Sequence, residues 1–230
     1  MAEINRCTAA QVETHLYGRF GRFARGLLRL FSKRYQCDSL PETGPCVYVC
    51  RHLNMHGPYT TLKWMPLEMH PFILSVFMEK ETAVAHFARY TFSEKKGKAQ
   101  KPFLLRAELL GRMVPKLMQS LKAIPVHRDS ASIKTMRIAL KHLQEGRPLI
   151  IWPDVHYTEG YDRPCEIYHG FLYLGELYYR RTGQELSFIP LWVDDANRRI
   201  VVRDAITLKD YQAEKVDAAM RLQKALNPAQ

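Results

Sequence analysis

Apolar residues recur at steps of three and four near the start of the chain, within VETHLYGRFGRFARGLLRLFSKRY at 12–35. This spacing predicts an amphipathic helix, and arginines occupy much of its remaining circumference. Such a helix either lies in a membrane interface or packs its apolar stripe on the protein core, with the arginines in solvent. Taken alone, the pattern favours packing on the core. The stripe consists of Val12, Leu16, Phe20, Phe23, Leu27, Leu30 and Phe31.

Short apolar runs alternate with helical patterns after the turn-rich linker SLPETGP. This alternation predicts an α/β fold with a mixed, largely buried β-sheet flanked by helices. The amphipathic helix and linker would then occupy 1–40, and the α/β domain 41–230. The predicted strands lie in CVYVC, HPFILSVFMEK, AIPV, PLIIW, LSFIPLWV and RRIVVRD.

Four further segments have the periodicity of helices: 102–121, 131–145, 168–181 and YQAEKVDAAMRLQKAL near the end of the chain. The first is expected to be largely buried and to bend or break at Gly111 or Pro115. Ser130 is expected to cap the second helix, and Gly146 to end it.

Composition and charge limit the location and the partners. No segment of the sequence approaches the roughly 20 apolar residues that span a bilayer, and the N-terminus lacks the apolar core of a signal peptide. The five cysteines have no paired spacing, which fits reduced thiols. These features predict a cytoplasmic protein. The net charge of +11 is concentrated between Glu13 and Asp38, and it would attract nucleic acid, an anionic membrane or a phosphorylated metabolite. No nucleic-acid-reading motif accompanies the charge, so nucleic acid is not a predicted partner.

Two histidines follow the strand CVYVC, at positions 52 and 56 of the segment RHLNMHGP. Their spacing suits two metal ligands on one helix, but Gly57 and Pro58 are expected to interrupt a helix, and the sequence places no third ligand. A histidine just beyond a buried strand is better placed for acid–base chemistry. We therefore predict no metal site, and acid–base chemistry stands against the ordinary alternative of histidines in a surface loop.

Four motifs in order resemble the glycerolipid acyltransferases, typified by lysophosphatidic acid acyltransferase. That family has N-H-x4-D, G-x-I-F-I-D-R, F-P-E-G-T-R and an I-V-P-V strand; the counterparts here are RHLNMHG, KAIPVHR, WPDVHY and FIPLW, over about 45–205. The matching positions are His52, Ile124, Arg128, Pro153, Asp154 (conservatively), Gly170 after the third motif, and Pro190.

The resemblance implies an acyltransferase-like αβ sandwich that transfers an acyl chain from a thioester to an alcohol. His52 would be the general base that removes the proton of the acceptor hydroxyl. The acyl donor would be acyl-CoA or acyl-carrier protein, and the acceptor would be a hydroxyl group of a (phospho)lipid. No bound cofactor is expected. The substrate would be contacted by Arg128, Pro153, Asp154, Tyr157 and Gly170.

The first motif departs from the family at its aspartate, which orients the histidine there and is replaced by Gly57 here. A base without an orienting acid is expected to be slower. Asp154 or Glu159 could take over this role. If the missing acid alone limits the rate, Gly57→Asp should raise it.

The other motifs also depart from the family. His127 stands at the second-motif aspartate, and Val155 and Tyr157 stand at the third-motif glycine and arginine. That arginine is thought to hold the acceptor phosphate, a role that suits a bidentate guanidinium. Arg128 and Arg163 could compensate, or the acceptor differs from a simple glycerol phosphate.

In this family context the basic helix at 12–35 is expected to bind an anionic membrane surface on the cytoplasmic side, with about 1 kcal/mol contributed by each basic residue. The alternative function is a lipid- or acyl-binding homologue that keeps the fold and has lost the chemistry. The departures at Gly57, Val155 and Tyr157 favour that alternative.

Overall fold

The computed structural model describes residues 16–41, 44–91, 101–127, 132–156 and 165–227, in which helices and strands alternate. The helices are α1 (Arg19–Leu30), α2 (His56–Trp64), α3 (Lys80–His86), α4 (Lys101–Ser120), α5 (Ser132–Gln144), α6 (Tyr173–Thr182) and α7 (Tyr211–Ala225). The strands are β1 (Gln36–Cys37), β2 (Cys46–Cys50), β3 (His70–Leu74), β4 (Ile124–Val126), β5 (Leu149–Ile151), β6 (Ser187–Asp194) and β7 (Arg199–Val202).

The described strands form one sheet in the order β1-β7-β6-β2-β5-β3-β4. The strands from β6 to β4 in that order are mutually parallel, while β7 pairs antiparallel with β6. Every predicted strand is present, and the predicted class, a mixed α/β sheet flanked by helices, is confirmed.

Both faces of the sheet are covered, which explains why its central strands are apolar without alternation. All five residues of β2 are buried. Val47 and Val49 pack into one core cluster with residues of α5, α6 and α7. Tyr48, on the opposite face, packs with Met65 and Met69, which follow α2. Each large side chain buried in this way contributes about 1.5–3 kcal/mol.

The segment at 102–121 differs from its prediction. It is a single helix, α4, with Pro115 inside it, so the predicted break is absent. Gly111 instead allows α3 to pack closely, because a Cβ there would lie 2.2 Å from Val84 Cγ2. The helix is also less buried than predicted, since it exposes Leu104, Leu105, Leu109 and Met113.

Three elements were not predicted: β1, α2 and α3. The prediction that Gly57 and Pro58 prevent a helix was wrong, because both lie in the first turn of α2, which begins at His56. A proline is tolerated there, since the N–H that it lacks has no partner within the helix.

The apolar stripe of α1 does not pack on the core, contrary to what the pattern alone favoured. Phe23, Leu30 and Phe31 are 66%, 79% and 84% exposed, while Arg25 and Arg29 face the protein and are half-buried. The part of the stripe that lies within α1 and at its C-terminal end therefore faces outward, while Leu16, before the helix, packs on a core cluster. None of the helices in the described ranges has the length and apolarity needed to cross a membrane.

A pair of stacked histidines, one buried and one half-buried, predicts acid sensitivity. The rings of His70 and His142 stack with centroids 4.3 Å apart, and burial together with His70 lowers the pKa of His142 to about 4. The unfolded-state pKa of histidine is about 6.5. The contribution of a neutral His142 to the free energy of unfolding is therefore fully present above pH 6.5, and it is lost as the pH falls toward 4. We expect a loss of about 2 kcal/mol after allowance for solvent screening of the half-exposed ring.

Urea unfolding between pH 7 and 4 tests this prediction on His142→Phe, which keeps a ring but cannot titrate. The variant should lose stability less steeply than the wild type over this range. The exposed His156→Phe is the matched control and should follow the wild type. Equal slopes for His142→Phe and the wild type would assign the acid sensitivity to other groups.

Candidate active site

The candidate site lies at the edge where the parallel strands end. The neighbours of β2 are β5 and β6, both parallel to it, so the residues that follow these three strands meet at one edge. Arg51 and His52 follow β2, Asp154 follows β5, and Asp195 follows β6.

The loop between β2 and α2 is conformationally strained. Leu53, Asn54 and Met55 have positive φ angles of 46°, 49° and 74°, and such residues cost about 1–3 kcal/mol each. The loop is held by backbone hydrogen bonds from Gly57 to His52 over 3.1 Å and from His56 to Leu53 over 3.0 Å. Strain of this kind persists where the surrounding structure fixes it, as in many functional sites.

Gly57 has no room for the side chain that the family motif has at this position. A Cβ there would lie 1.8 Å from the backbone oxygen of Arg51 and 3.0 Å from its carbonyl carbon. Gly57→Asp therefore cannot test for a missing acid alone, because the substitution would also displace the loop itself. Glycine is required here by the close approach of two backbone segments.

His52 is half-buried, and its ring nitrogen Nδ1 accepts a hydrogen bond from the backbone N–H of Met55 over 3.2 Å. Burial lowers the pKa of His52, so its ring is neutral at pH 7. Because Nδ1 accepts, the proton of the neutral ring lies on Nε2. A base that acts through Nε2 requires the other tautomer.

Asp154 forms a buried ion pair with Arg51, the residue that directly precedes His52. Nε of Arg51 lies 3.7 Å from Oδ2 of Asp154, with both side chains 3% exposed, and Arg51 Nη1 donates to Oδ1 of Asn227 over 2.9 Å. Burial raises the pKa of Asp154, while the backbone N–H of His52 and the Arg51 guanidinium oppose that rise. Neither carboxylate oxygen of Asp154 has a hydrogen bond of normal geometry in the described part of the chain, so its described partner is the Arg51 guanidinium.

Removing one member of this pair should destabilise the protein, because the other charge is left buried. We expect Asp154→Ala to cost about 3 kcal/mol, and the double variant Arg51→Met/Asp154→Leu to cost far less. Asp217→Ala is the matched control, because Asp217 pairs with Arg221 at 3.8 Å on an exposed surface, where pairs contribute about 0–1 kcal/mol. Urea unfolding midpoints measure these costs; similar values for Asp154→Ala and Asp217→Ala would contradict the prediction.

The other predicted site residues are only partly accounted for. Pro153 is buried, and its backbone oxygen accepts from Tyr168 N–H over 2.9 Å, which brings the third-motif segment close to Gly170. Gly170 is exposed at the first position of a short 3-10 turn. His127 follows β4 and is half-buried. Several predicted residues lie outside the described ones: Arg128, Tyr157, Glu159, Arg163 and the predicted helix cap Ser130.

The second histidine of the loop has a carboxylate partner that was not predicted. Nε2 of His56 lies 2.7 Å from Oδ1 of Asp195, and the Tyr35 hydroxyl donates to the same oxygen over 2.7 Å. Burial and Asp195 raise the pKa of Tyr35 to about 12, so its hydroxyl remains a donor. With the proton of His56 directed at Asp195, the lone pair of the neutral ring lies on Nδ1.

Topology explains this contact: β2 and β6 are paired with Cys50 opposite Leu191, so the turn after β6 reaches the loop after β2. The sequence signal was the pair Asp194-Asp195 directly after a predicted strand, the same arrangement that singled out His52 and Asp154. Among the described residues, no group of three or more potential ligands is placed to hold a metal.

His52 lines neither of two clefts found in the described part of the chain. One, of about 450 Å³, lies along α2 and includes His56, Asn54 and Met55. The other, of about 420 Å³, lies between α6 and α7 and includes Glu176 and Tyr211. The first cleft thus begins at the strained loop.

No family model, curated protein or solved structure matches the chain. The acyltransferase resemblance therefore rests on the order and spacing of the quoted motifs.

Proposed function

We propose that the protein is an O-acyltransferase that moves a fatty acyl chain from acyl-CoA or acyl-carrier protein to a hydroxyl of a (phospho)lipid acceptor. The observation that carries the proposal is the strained loop that holds His52 at the carboxyl edge of a parallel sheet. The Asp154 of the third motif lies directly beside this loop. Residues of the first and third motifs, Arg51 and Asp154, are in contact at this edge.

In the proposed step, His52 takes the proton of the acceptor hydroxyl while the oxygen attacks the thioester carbonyl carbon. The tetrahedral intermediate then expels the thiolate as the C–S bond breaks, and the imidazolium returns the proton to that sulfur. Burial keeps His52 neutral, as a base must be. For action through Nε2, its proton must first move to Nδ1, with loss of the contact to Met55.

His56 is the alternative proton acceptor, because it already has an orienting carboxylate in Asp195. Its Nδ1 lone pair and its place in the cleft along α2 suit this role. The two assignments differ in a simple way. If His56 is the base, Asp195→Asn lowers the turnover rate, whereas it has little effect if His52 acts alone.

Access to a lipid acceptor is proposed to occur at the cytoplasmic surface of a membrane. The support is the exposed apolar face of α1, which includes Phe23 and Leu27 and continues to Phe31 just after the helix, and the exposed Leu105 and Leu109 on the neighbouring α4. Apolar side chains on an amphipathic helix insert into the acyl boundary of a bilayer. The protein would then be attached peripherally.

The test is incubation of the protein with a long-chain acyl thioester and vesicles that contain lysophosphatidic acid or other hydroxyl lipids. Mass spectrometry of the lipid fraction should detect an acceptor that is heavier by one acyl group, with matching release of thiol. Binding of thioester or lipid without any product across the acceptor panel would support the acyl-binding alternative and contradict the proposed reaction.

A further inference from the structure

Four cations lie together where α1 and its following residues meet α2: Arg25, Arg29, Lys33 and Lys63. Arg25 donates to the backbone oxygens of Lys63 and Met65, and Arg29 donates to that of Lys63. The Lys63 ammonium donates to Oγ of Ser32 over 2.9 Å. All of these acceptors are neutral.

No carboxylate of the described residues forms an ion pair with any of the four cations. Burial lowers the pKa of Lys63, and burial together with Arg25 lowers the pKa of Arg29. Partly buried like charges repel one another, and surrounding solvent screens them less than it screens exposed charges. The cluster therefore has a positive potential that an anion would relieve.

A cleft of about 450 Å³ opens onto this cluster, and its described lining contains Lys33 and Lys63 but no carboxylate. The hydroxyl-bearing residues Ser32, Tyr35 and Tyr59 line the same cleft. Ser32 and Tyr35 donate their hydroxyl protons to Leu28 O and Asp195 Oδ1, so the ammonium groups of Lys33 and Lys63, with the Tyr59 hydroxyl, are the donors that suit the oxygens of a phosphate group. Asp195 bonds Tyr35 and His56, which are both part of the lining.

The cleft adjoins the exposed apolar face of α1. Ser32 and Lys33 directly follow Leu30 and Phe31, which are 79% and 84% exposed. A ligand in the cleft would therefore sit beside side chains that can enter the acyl region of a bilayer, with its phosphate at headgroup depth.

We propose that the cleft between α2 and the residues after α1 binds the phosphate of an anionic membrane lipid, with Lys33 and Lys63 as its cationic ligands. The inference deepens the proposed function, because it names the lipid chemistry that would hold the site at the membrane. It does not require that acyl transfer occurs.

Vesicle co-sedimentation without any thioester tests the inference, with phosphatidylcholine vesicles and the same vesicles containing phosphatidic acid. We expect Lys33→Gln and Lys63→Gln each to weaken binding to the phosphatidic acid vesicles about fivefold, and the double variant about 30-fold. Binding to pure phosphatidylcholine should not change. Lys224→Gln is the matched control, because Lys224 is an exposed lysine of α7, outside the cleft.

Binding of the double variant to phosphatidic acid vesicles within threefold of the wild type would overturn the inference. So would an equal loss in Lys224→Gln, because it would assign the effect to overall charge. If the double variant instead loses binding to acyl-carrier protein and keeps vesicle binding, the cleft is a carrier-protein site, and the lipid assignment is also overturned. Circular dichroism confirms that each variant is folded. Since no turnover is measured, a protein without acyltransferase activity can still pass this test.

Discussion

Gly57→Ala is expected to destabilise the protein by about 3 kcal/mol or more, because a methyl group cannot fit against the backbone of Arg51. The added Cβ would lie 1.8 Å from the Arg51 oxygen, a distance that only a backbone shift can relieve. That shift would open the loop that carries His52. Gly57→Asp should therefore lower both stability and any acyl transfer, whereas a rise would be the outcome if the missing acid alone limited the rate.

Gly26→Ala is the matched control for this prediction. Gly26 lies inside α1, and a Cβ there would meet nothing within 4 Å. Alanine is the better helix former by about 0.5–1 kcal/mol, so this substitution should stabilise the protein slightly. Urea unfolding measures both changes. A Gly57→Ala protein with wild-type stability would show that the loop is not packed as described.

The sheet could be predicted from the sequence because its strands are short apolar runs bordered by polar or turn residues, as in CVYVC and PLIIW. Their parallel arrangement then placed Arg51 and Asp154 at one edge, where a site was expected. Helix α2 was missed because Gly57 and Pro58 weaken helix formation in general, while the first turn of a helix tolerates both.

The orientation of α1 could not be predicted, because amphipathicity defines a stripe without saying which side faces the protein. Tertiary contacts decide it: Gly21 N–H donates to Ser120 Oγ over 2.7 Å, while Arg25 and Arg29 bind carbonyl oxygens at the end of α2. The arginine side is thus the one that packs. The apolar stripe is left outside, as an interfacial helix requires.

The His56–Asp195 pair was also missed, because its members lie 139 residues apart in the sequence. Only the pairing of β2 with β6 brings them together. The motif comparison assigned the orienting acid to Gly57, a position that has no space for one. A carboxylate from another strand does reach this loop, but it contacts the second histidine.

His52→Ala is expected to lower the rate of acyl transfer by about 10²–10⁴-fold, the contribution that a positioned general base makes. His52 is half-buried in the loop, and its Nδ1 accepts a hydrogen bond from the backbone N–H of Met55 over 3.2 Å. Its removal should therefore cost much less stability than Gly57→Ala. A His52→Ala protein with a wild-type unfolding midpoint and greatly reduced turnover would separate chemistry from folding.

The most direct measurement of the central claim compares thiol release and acylated lipid for the wild type, His52→Ala and His56→Ala at equal concentrations of folded protein. Our account predicts that the wild type forms product, that His52→Ala loses at least 100-fold of that rate, and that His56→Ala retains most of it. A His52→Ala protein that transfers the acyl chain at the wild-type rate would contradict the account.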